Sequence, residues 1–505
     1  MPELFDWQAA DVEALVRGDG IGVNTSHTGA GKSAVALSSA KELGADSVLV
    51  VSPKNTADSW RESVEMWWPE QDYRVIDASK AGNRAYLDLA LGTPGVYQIG
   101  IERFRNQSWS SIFPDISIAD EVHRLASLTS DVGRKALHSL SSGSKQALSA
   151  TIVRNKIENI YGPAKWEYPT MGPWQPTEEY FDTHPGVNPD AWSKITPKKK
   201  IKDLDARYKW QFLELHYNVK KDFFAGWTVE SEMIPGWVIS RFPVHIEHRK
   251  RENCCEYHPE GFATWPEPQE HRIEIPMTPT QRKIYRQLDE QDLAWMGENA
   301  LAPKIPLESR IRKLQIALGE GELVTDGEGK QKIVFLPEGK SPKADWIQDA
   351  LTEGDLFGEN VVVFTHSKGW SNALAQRLNK AGIPSLAWNS DTDPDDKTAA
   401  RVQWVEGGLQ VIVGVISAIG TGTDWMQRNC YNMVWASRSD DSTDNLQASG
   451  RLDRIGQQRG VMEWILQSED TMEAGVESKQ MVKQMQINES TRKRAEASGV
   501  DLQDF

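Results

Sequence analysis

Cysteine is nearly absent from this chain, at three in 505 residues. That excludes a disulfide framework and suits a reducing compartment. Long apolar runs are missing too, and none approaches the roughly eighteen residues that a membrane span needs. The opening MPELFDWQAADVEALV lacks the basic-then-apolar layout of a secretory leader. A soluble protein of the cytoplasm or nucleoid is expected, not a secreted or membrane-embedded one. There is no surplus of positive charge either: 72 acidic residues face 57 Lys plus Arg, for a net charge of −15. This disfavours a polybasic coat on nucleic acid but leaves room for a local basic track, because affinity comes from the contact face. Low-complexity tracts and solenoid-period repeats are also lacking. What remains, 39% hydrophobic and 26% charged residues, is ordinary for a folded chain with room for two to four domains. Twenty tryptophans are many, and composition alone gives no account of them.

Hydrophobic patterning divides the chain. Residues 48–52, 96–101, 116–119 and 147–151 are short apolar or β-branched runs, with helical stretches such as 33–43 and 56–67 between them. Nearly continuous apolar strands predict a parallel sheet covered on both faces. A second series comprises 361–366, a helix around 370–380, then 410–415, 431–436 and 461–466. The fold class is therefore α/β, with two parallel-sheet units. Between them, roughly 160–270 is rich in Trp, Pro and charge and has no clean strand series. Residues 191–250 hold 12 Lys plus Arg against 7 acidic residues, so the rest of the chain carries −20. The densest basic points are Lys198, Lys199 and Lys200, then Arg249, Lys250 and Arg251. They read either as a solvated helix face or as a nucleic-acid contact. Residues 320–342 read as a polar hairpin or loop, and 471–497 as a surface helix.

Chemistry enters at residues 27–33, HTGAGKS, between IGVNT and the helical run AVALSSAKEL. Gly29 and Gly31 let the backbone turn closely around an anion. The loop amides and the following helix N-terminus then face phosphate oxygens. Lys32 can reach the terminal phosphates, and the Ser33 hydroxyl can ligate Mg²⁺. The strict pattern has glycine six residues before the lysine, where this chain has Ser26; an accidental turn is the alternative. Downstream, ISIADEVH (116–123) ends an apolar strand in two carboxylates. Asp120 can hold Mg²⁺ and Glu121 can polarise the attacking water. Loop and carboxylates together predict a nucleoside-triphosphate hydrolase.

Asp120-Glu121-Val122-His123 is a DExH box. From here the chain resembles the superfamily 2 helicases and translocases, more narrowly the Swi/Snf-type branch of DNA-dependent ATPases. The likeness runs in order over most of the chain. It implies two RecA-like lobes around an ATP cleft: lobe 1 over 1–160 with motifs I to III, and lobe 2 over 266–480 with motifs IV to VI. A helical, basic extension and connector would fill 161–265, and a surface helix or tail 481–505. Trp7-Gln8 resembles the segment before motif I, which assigns Gln8 to adenine; Thr28, Gly29, Ala30, Gly31, Lys32 and Ser33 would hold the nucleotide. VVSPKNTADSWRESVEMWWP (50–69) resembles the motif Ia region, with Trp60 and a further tryptophan at Trp67 or Trp68. VYQIGIERFR (96–105) resembles motif Ib. Pro53, Lys54 and Arg103 would then lie on the nucleic-acid path, with Glu102 near it.

LSATIVRN (148–155) resembles motif III, in which Ser149, Ala150 and Thr151, with His123, would couple the nucleotide and nucleic-acid sites. The branch more often has Gly-Thr-Pro where this chain has Ala150-Thr151-Ile152; Asn155 fits it. YGPAKWEYP resembles the extension closing the first lobe, and HIEHRKRENC its basic exit segment. IPMTPTQRKIY (275–285), with Gln281 and Tyr285, resembles the opening of the second lobe. Lys343 suits the Ser-x-Lys that precedes its sheet. FTHSKG (364–369) resembles motif IV, placing Thr365 and Ser367 near nucleic acid. SAIGTGTDW (417–425) resembles motif V: Ser417 and Thr421 on the nucleic-acid side, Gly420 and Gly422 for close backbone approach, Gly422 and Asp424 by the nucleotide.

QASGRLDRIGQ (447–457) resembles motif VI, with Gln447 coupling and Gln457 completing the pattern. Arg451 and Arg454, three apart, are expected on one helical face. A guanidinium fork grips phosphate oxygens bidentately and stabilises charge developing in the transition state. The implied activity is ATP-driven translocation, most of all on double-stranded DNA, with Mg²⁺ as cofactor and lobe closure driving each step. A monomer in solution is expected, with a protein partner left open, and any nucleic-acid complex should be salt-sensitive. One alternative is a strand-separating helicase on DNA or RNA. Another is a catalytically weak ATP-binding scaffold or remodelling module, against which Lys32, Asp120, Glu121, Arg451 and Arg454 argue. His245, His248, Cys254, Cys255 and His258 invite a zinc reading, but adjacent cysteines make poor joint ligands and no Cys-x-x-Cys is present. Cys430 is expected to be buried and inert.

Overall fold

The computed structural model describes residues 2–127, 136–137, 139–150, 160–167, 217–222, 226–232, 242–248, 265–297, 299–303, 306–325, 327, 331–419, 425–439 and 442–473. Thr151, Gly420, Thr421, Gly422, Asp424, Cys254, Cys255, His258, the basic clusters 198–200 and 249–251, and 481–505 lie outside them. The chain divides into two compact units, with the boundary after residue 255.

The first unit is built on helices α1 (Asp6–Arg17), α2 (Lys32–Glu42), α3 (Ala57–Trp67), α4 (Lys80–Ala90), α5 (Ile101–Arg105) and α6 (Tyr161–Glu167). Its strands are β1 (Gly22–Asn24), β2 (Ser47–Ser52), β3 (Tyr73–Ile76), β4 (Gly95–Gly100), β5 (Ile116–Asp120) and β6 (Ser144–Leu148). A hairpin, β7 (Tyr217–Asp222) with β8 (Gly226–Glu232), stands apart from the sheet, and β9 (His245–Ile246) closes its edge. The order is β3-β4-β2-β5-β6-β1-β9, with every neighbouring pair parallel. Although β2 is apolar at nearly every position, the strand period of two still sorts its side chains. Leu49 and Val51 enter a core with Tyr97, Ile99, Ala119 and Trp109. Val48 and Val50 enter the opposite one with Leu37, Trp60 and Ile118. Both faces are thus covered, as a parallel sheet requires.

The second unit repeats the plan. Its sheet runs β10 (Gln269–Ile275), β19 (Met462–Ser468), β18 (Asn432–Trp435), β15 (Val361–Thr365), β17 (Val411–Val415) and β16 (Ser385–Trp388), all parallel. Val361 and Val363 face one core, and Val362 and Phe364 the other. Its helices are α7 (Pro279–Gln291), α8 (Pro306–Leu318), α9 (Pro342–Thr352), α10 (Lys368–Lys380), α11 (Pro394–Glu406), α12 (Ile416–Ile419) and α13 (Ser442–Ser449). Two hairpins, β11 (Ala294–Met296) with β12 (Asn299–Leu301) and β13 (Glu322–Thr325) with β14 (Gln331–Val334), complete the unit. The second hairpin falls where a polar hairpin was expected.

Helix starts follow local chemistry. In α7, Pro279 occupies the first turn and Thr278 and Gln281 form a reciprocal capping box. Ser341 and Ser367 cap α9 and α10 by accepting from Ala344 N and Trp370 N. Among the described residues, no helix is long and apolar enough to cross a membrane.

Three expectations need correction. The strand read at 147–151 is Ser144–Leu148, because its ladder to β1 ends with Ser149 N donating to Asn24 O at 3.1 Å. The middle region, read as having no strand series, supplies the β7–β8 hairpin and the edge strand β9. Arg451 and Arg454 do not share a helical face. The helix α13 ends at Ser449, and Gly450 opens a series of tight turns in which Leu452 N and Asp453 N both reach Ser449 O.

Candidate active site

Because all neighbours in the first sheet are parallel, the carboxyl ends of β1, β2, β4, β5 and β6 open on one edge, where open α/β sheets bind ligands. The loop after β1 holds Gly29 at φ 82° and Gly31 at φ 77°, left-handed values that glycine adopts without a Cβ penalty. Helix α2 follows, with Lys32 and Ser33 half-buried in its first turn. Lys32 Nζ is curled into the loop, donating to Ser26 O at 2.8 Å and His27 O at 3.1 Å. Gln8, from α1, lies over the loop: its Oε1 accepts from Phe5 N at 3.1 Å and its Nε2 donates to Ala30 O at 3.4 Å. A Cβ at position 31 would come within 2.3 Å of Gln8 Nε2, so a side chain there would push Gln8 off the loop. Thr28 is half-buried and Ala30 buried in the same turn. The amide-lined turn, the helix N-terminus and the ammonium group suit a polyphosphate.

Asp120 ends β5, two strands from β1. Its Oδ2 accepts from Trp60 Nε1 at 3.0 Å and its Oδ1 from Glu121 N at 2.9 Å. Burial, then the neighbouring Glu121 charge, pushes its carboxyl up to about 6, against the pull of the indole bond and of the Lys32 charge. Glu121 is held at φ 51°, unusual for a residue with a side chain and of the kind that concentrates at functional sites. Its Oε2 lies 3.2 Å from His123 Nδ1. His123, 4% exposed, also meets Ser149 Oγ at 2.9 Å through Nδ1. The expected coupling residues His123 and Ser149 are therefore in contact, and Ala150 is the next residue along. With Ser33 and Asp120 as oxygen donors on this edge, the residues present fit Mg²⁺ with a nucleoside triphosphate.

The remaining expected residues distribute as follows. Pro53 is buried and Lys54 exposed just after β2. Arg103, on α5 after β4, donates through Nη2 to Asn83 Oδ1 at 2.8 Å. Since β2 and β4 are neighbours, Lys54 and Arg103 occupy one stretch of the edge. In the second unit, Thr365 ends β15 and Ser367 follows it, but both are buried, with Thr365 Oγ1 accepting from Ser367 N at 3.2 Å and lying 3.4 Å from Ser437 Oγ. Ser417, on α12, is exposed. Gln447 is buried on α13, Arg451 is 7% exposed and Arg454 half-buried. Asp453 between them accepts from Trp265 Nε1 at 2.6 Å. Gln457 fixes the turn by donating to Cys430 O and Leu452 O.

Several contributors carry no motif signal of their own. Trp60 was visible as a matching tryptophan, but its grip on Asp120 was not. Glu463 on β19 gathers Ser449 Oγ at 2.9 Å, Trp435 Nε1 at 3.2 Å and Arg438 Nη2 at 3.2 Å, and so ties the end of α13 to two strands. Lys343, 1% exposed, donates to Ala436 O at 2.7 Å and to both Glu473 oxygens at 2.9 Å. Gln281 Nε2 donates to Ile316 O, pinning α7 to α8, and Tyr285 Oη accepts from Met472 N in a turn. His245 and His248 are bonded to Thr25 and Asp11, and among the described residues no group of three His, Cys, Asp or Glu could hold a metal ion. Cys430 is a buried free thiol.

No family model matches the chain. Over 116 residues it is 28% identical to the ATP-dependent DNA helicase Q1 of Mus musculus, a span that is 23% of this chain and 17% of the relative. Over 128 residues it is 27% identical to a putative ATP-dependent DNA helicase Q1 of Caenorhabditis elegans, covering 25% of this chain and 20% of that one. The chain thus spans about a fifth of the length of these curated relatives. A solved structure, the Sulfolobus solfataricus SWI2/SNF2 ATPase core in complex with dsDNA, aligns over 99% of this chain and 94% of its own at 16% identity and a TM-score of 0.36. This partial sequence similarity to ATP-dependent DNA helicases agrees with the resemblance to superfamily 2 helicases and translocases.

Proposed function

We propose that this protein is a DNA-dependent ATPase that moves along double-stranded DNA. The reading is carried by the convergence of Lys32, Ser33, Asp120, Glu121 and the His123–Ser149 pair on one sheet edge. Lys32 and the loop amides bind and orient the polyphosphate. Ser33 and Asp120 are the groups that would hold Mg²⁺, which supplies charge neutralisation at the phosphates. Glu121 orients the attacking water, and its contact with His123 carries the state of the nucleotide site to Ser149. Arg451 and Arg454, supplied by the second unit, stabilise charge on the transferring phosphoryl group. Their cyclic engagement and release is the proposed source of stepping, with Lys54 and Arg103 contacting the backbone of the duplex. The DNA preference rests on the motif VI pattern, and the similarity to DNA helicases favours a second reading, strand separation.

Steady-state ATP hydrolysis at low salt, measured alone and with duplex DNA, single-stranded DNA or RNA, tests the proposal, with Lys32→Ala as the blank. Stimulation chiefly by duplex DNA, lost in the blank, supports translocation. Stimulation by a single strand together with displacement of a labelled strand supports the second reading. Absence of hydrolysis under every condition contradicts both.

A further inference from the structure

The departure of the phosphate loop from the strict glycine pattern has a partner in the fold. Ser26, standing where that glycine would be, is 1% exposed, and its Oγ accepts from His248 N at 3.0 Å. The segment carrying His248 runs parallel to β1 and continues beyond it along the loop: Val23 N donates to Val244 O, Thr25 N to Ile246 O at 2.7 Å, and His27 N to His248 O at 2.9 Å. A glycine at 26 would leave the His248 amide without this acceptor. The His248 ring then turns towards α1, where Nε2 meets Asp11 Oδ1 and Oδ2 at 2.9 and 2.8 Å and the ring lies 4.5 Å from Trp7. Asp11 is one turn from Gln8, the residue seated over Ala30 and Gly31.

We propose that Ser26, His248 and Asp11 form a latch that positions the phosphate loop and couples nucleotide binding to the segment 244–248. His248 holds the loop from one side through Ser26 and His27. From the other side it holds α1, and with it Gln8, through Asp11. These are positioning residues; the hydrolytic groups are those already named. Coupling of this kind is reciprocal: if the latched segment favours the nucleotide-binding loop, bound nucleotide must in turn favour the latched segment. The segment lies in sequence between the last motif of the first unit and the first strand of the second. The latch thus gives the loop a direct connection to the chain leading out of its own sheet. The inference rests on the reading of this loop as a nucleotide site.

The test uses the full chain with mant-ATP and Mg²⁺ as the binding probe, with amide hydrogen exchange of 244–248 in parallel. In the wild type, nucleotide slows exchange of the His248 amide. Ser26→Gly restores the strict motif, yet it is expected to weaken mant-ATP binding about tenfold, the loss of one buried hydrogen bond, and to abolish the nucleotide-dependent protection. His248→Ala does the same, while His248→Gln, whose amide still reaches Asp11, recovers most of the affinity. At saturating ATP the turnover of Ser26→Gly stays within about twofold of wild type, so the defect appears in KM and not in kcat. Binding by Ser26→Gly equal to or tighter than wild type overturns the latch, as does protection at 244–248 that nucleotide does not change. A proportional fall of kcat in all variants, with no change in affinity, overturns it too. Failure of the wild type to bind mant-ATP would instead remove the nucleotide reading itself.

Discussion

The two units are built alike and treat buried charge differently. In the first, Asp120 is enclosed beside a second carboxylate and pushed up to about 6, while Glu121 is held at a positive φ. In the second unit burial also pulls Lys343 down and Glu463, near the start of β19, up, and each has its partners: Lys343 a carboxylate and a carbonyl, Glu463 three donors. Asp120 is partnered as well, by Trp60 and the Glu121 amide, but both of these donors are neutral, whereas Lys343 and Glu463 each face an opposite charge. Like charges therefore adjoin in the first unit, and opposite charges pair in the second.

That contrast can be broken, most severely by removing the reacting groups. Arg451→Ala is expected to lower ATP turnover about 10³-fold, and Lys32→Ala and Asp120→Asn about a hundredfold or more, read in a coupled hydrolysis assay. Near-normal turnover in Arg451→Ala would put the chemistry on one unit alone. Next, Glu473→Ala leaves Lys343 buried and unpaired and should cost about 3–5 kcal/mol in denaturant unfolding of the second unit. Replacing Lys343 and Glu473 together by Met and Leu should be close to neutral. If single and double variants unfold alike, the second unit's charges are not paired as described.

A third test uses pH. The folded-state pKa of Asp120 is raised above its ordinary 3.8 to about 6, so the native state holds this proton more tightly than the unfolded chain. The stability it contributes is complete below about 4 and lost as pH rises through 6. Asp120→Asn, fixed in the uncharged form, should accordingly be more stable than wild type at pH 7 while inactive. For the free enzyme, kcat/KM should fall as pH drops through about 6. A less stable Asp120→Asn at pH 7 would contradict the destabilisation of the charged carboxylate by burial and by Glu121. The smallest effect is expected from Trp60→Phe. The indole bond favours the charged carboxylate, so its loss moves the acid limb to higher pH and lowers turnover at pH 7 about two- to threefold.

Much of this was legible in the chain, and the exceptions have physical causes. The central strands β2, β4, β5, β15, β17 and β18 are buried on both faces and read as apolar runs. The edge strand β10, QEHRIEI, mixes charges with apolar residues because only part of it is covered, and it gave no strand signal. β9 is two residues long in a charged neighbourhood, and its membership of the sheet depends on pairing with a strand 222 residues earlier, Val23 with His245 and Asn24 with Ile246. The phosphate loop and acidic box were legible because their chemistry requires particular residue types at short spacing. The supports of Asp120 and Ser449, namely Trp60 and Glu463, act across long sequence distances, which no local pattern encodes. Arg451 and Arg454 were singled out, but their geometry was misread, because a three-residue spacing implies a shared face only while the helix lasts.

The tryptophans, unexplained by composition, end as fasteners. Trp109, Trp166 and Trp404 give their indole N–H to backbone carbonyls, whereas Trp60 and Trp265 give theirs to Asp120 and Asp453, the acidic residues of the two most telling motifs. An indole donor carries no charge and does not titrate, so it can aim a carboxylate without neutralising it or competing as a cation. It is also too bulky and too buried to be washed out by solvent when products leave. Each carboxylate is thereby aimed, within its own unit, by a donor that no change of pH removes.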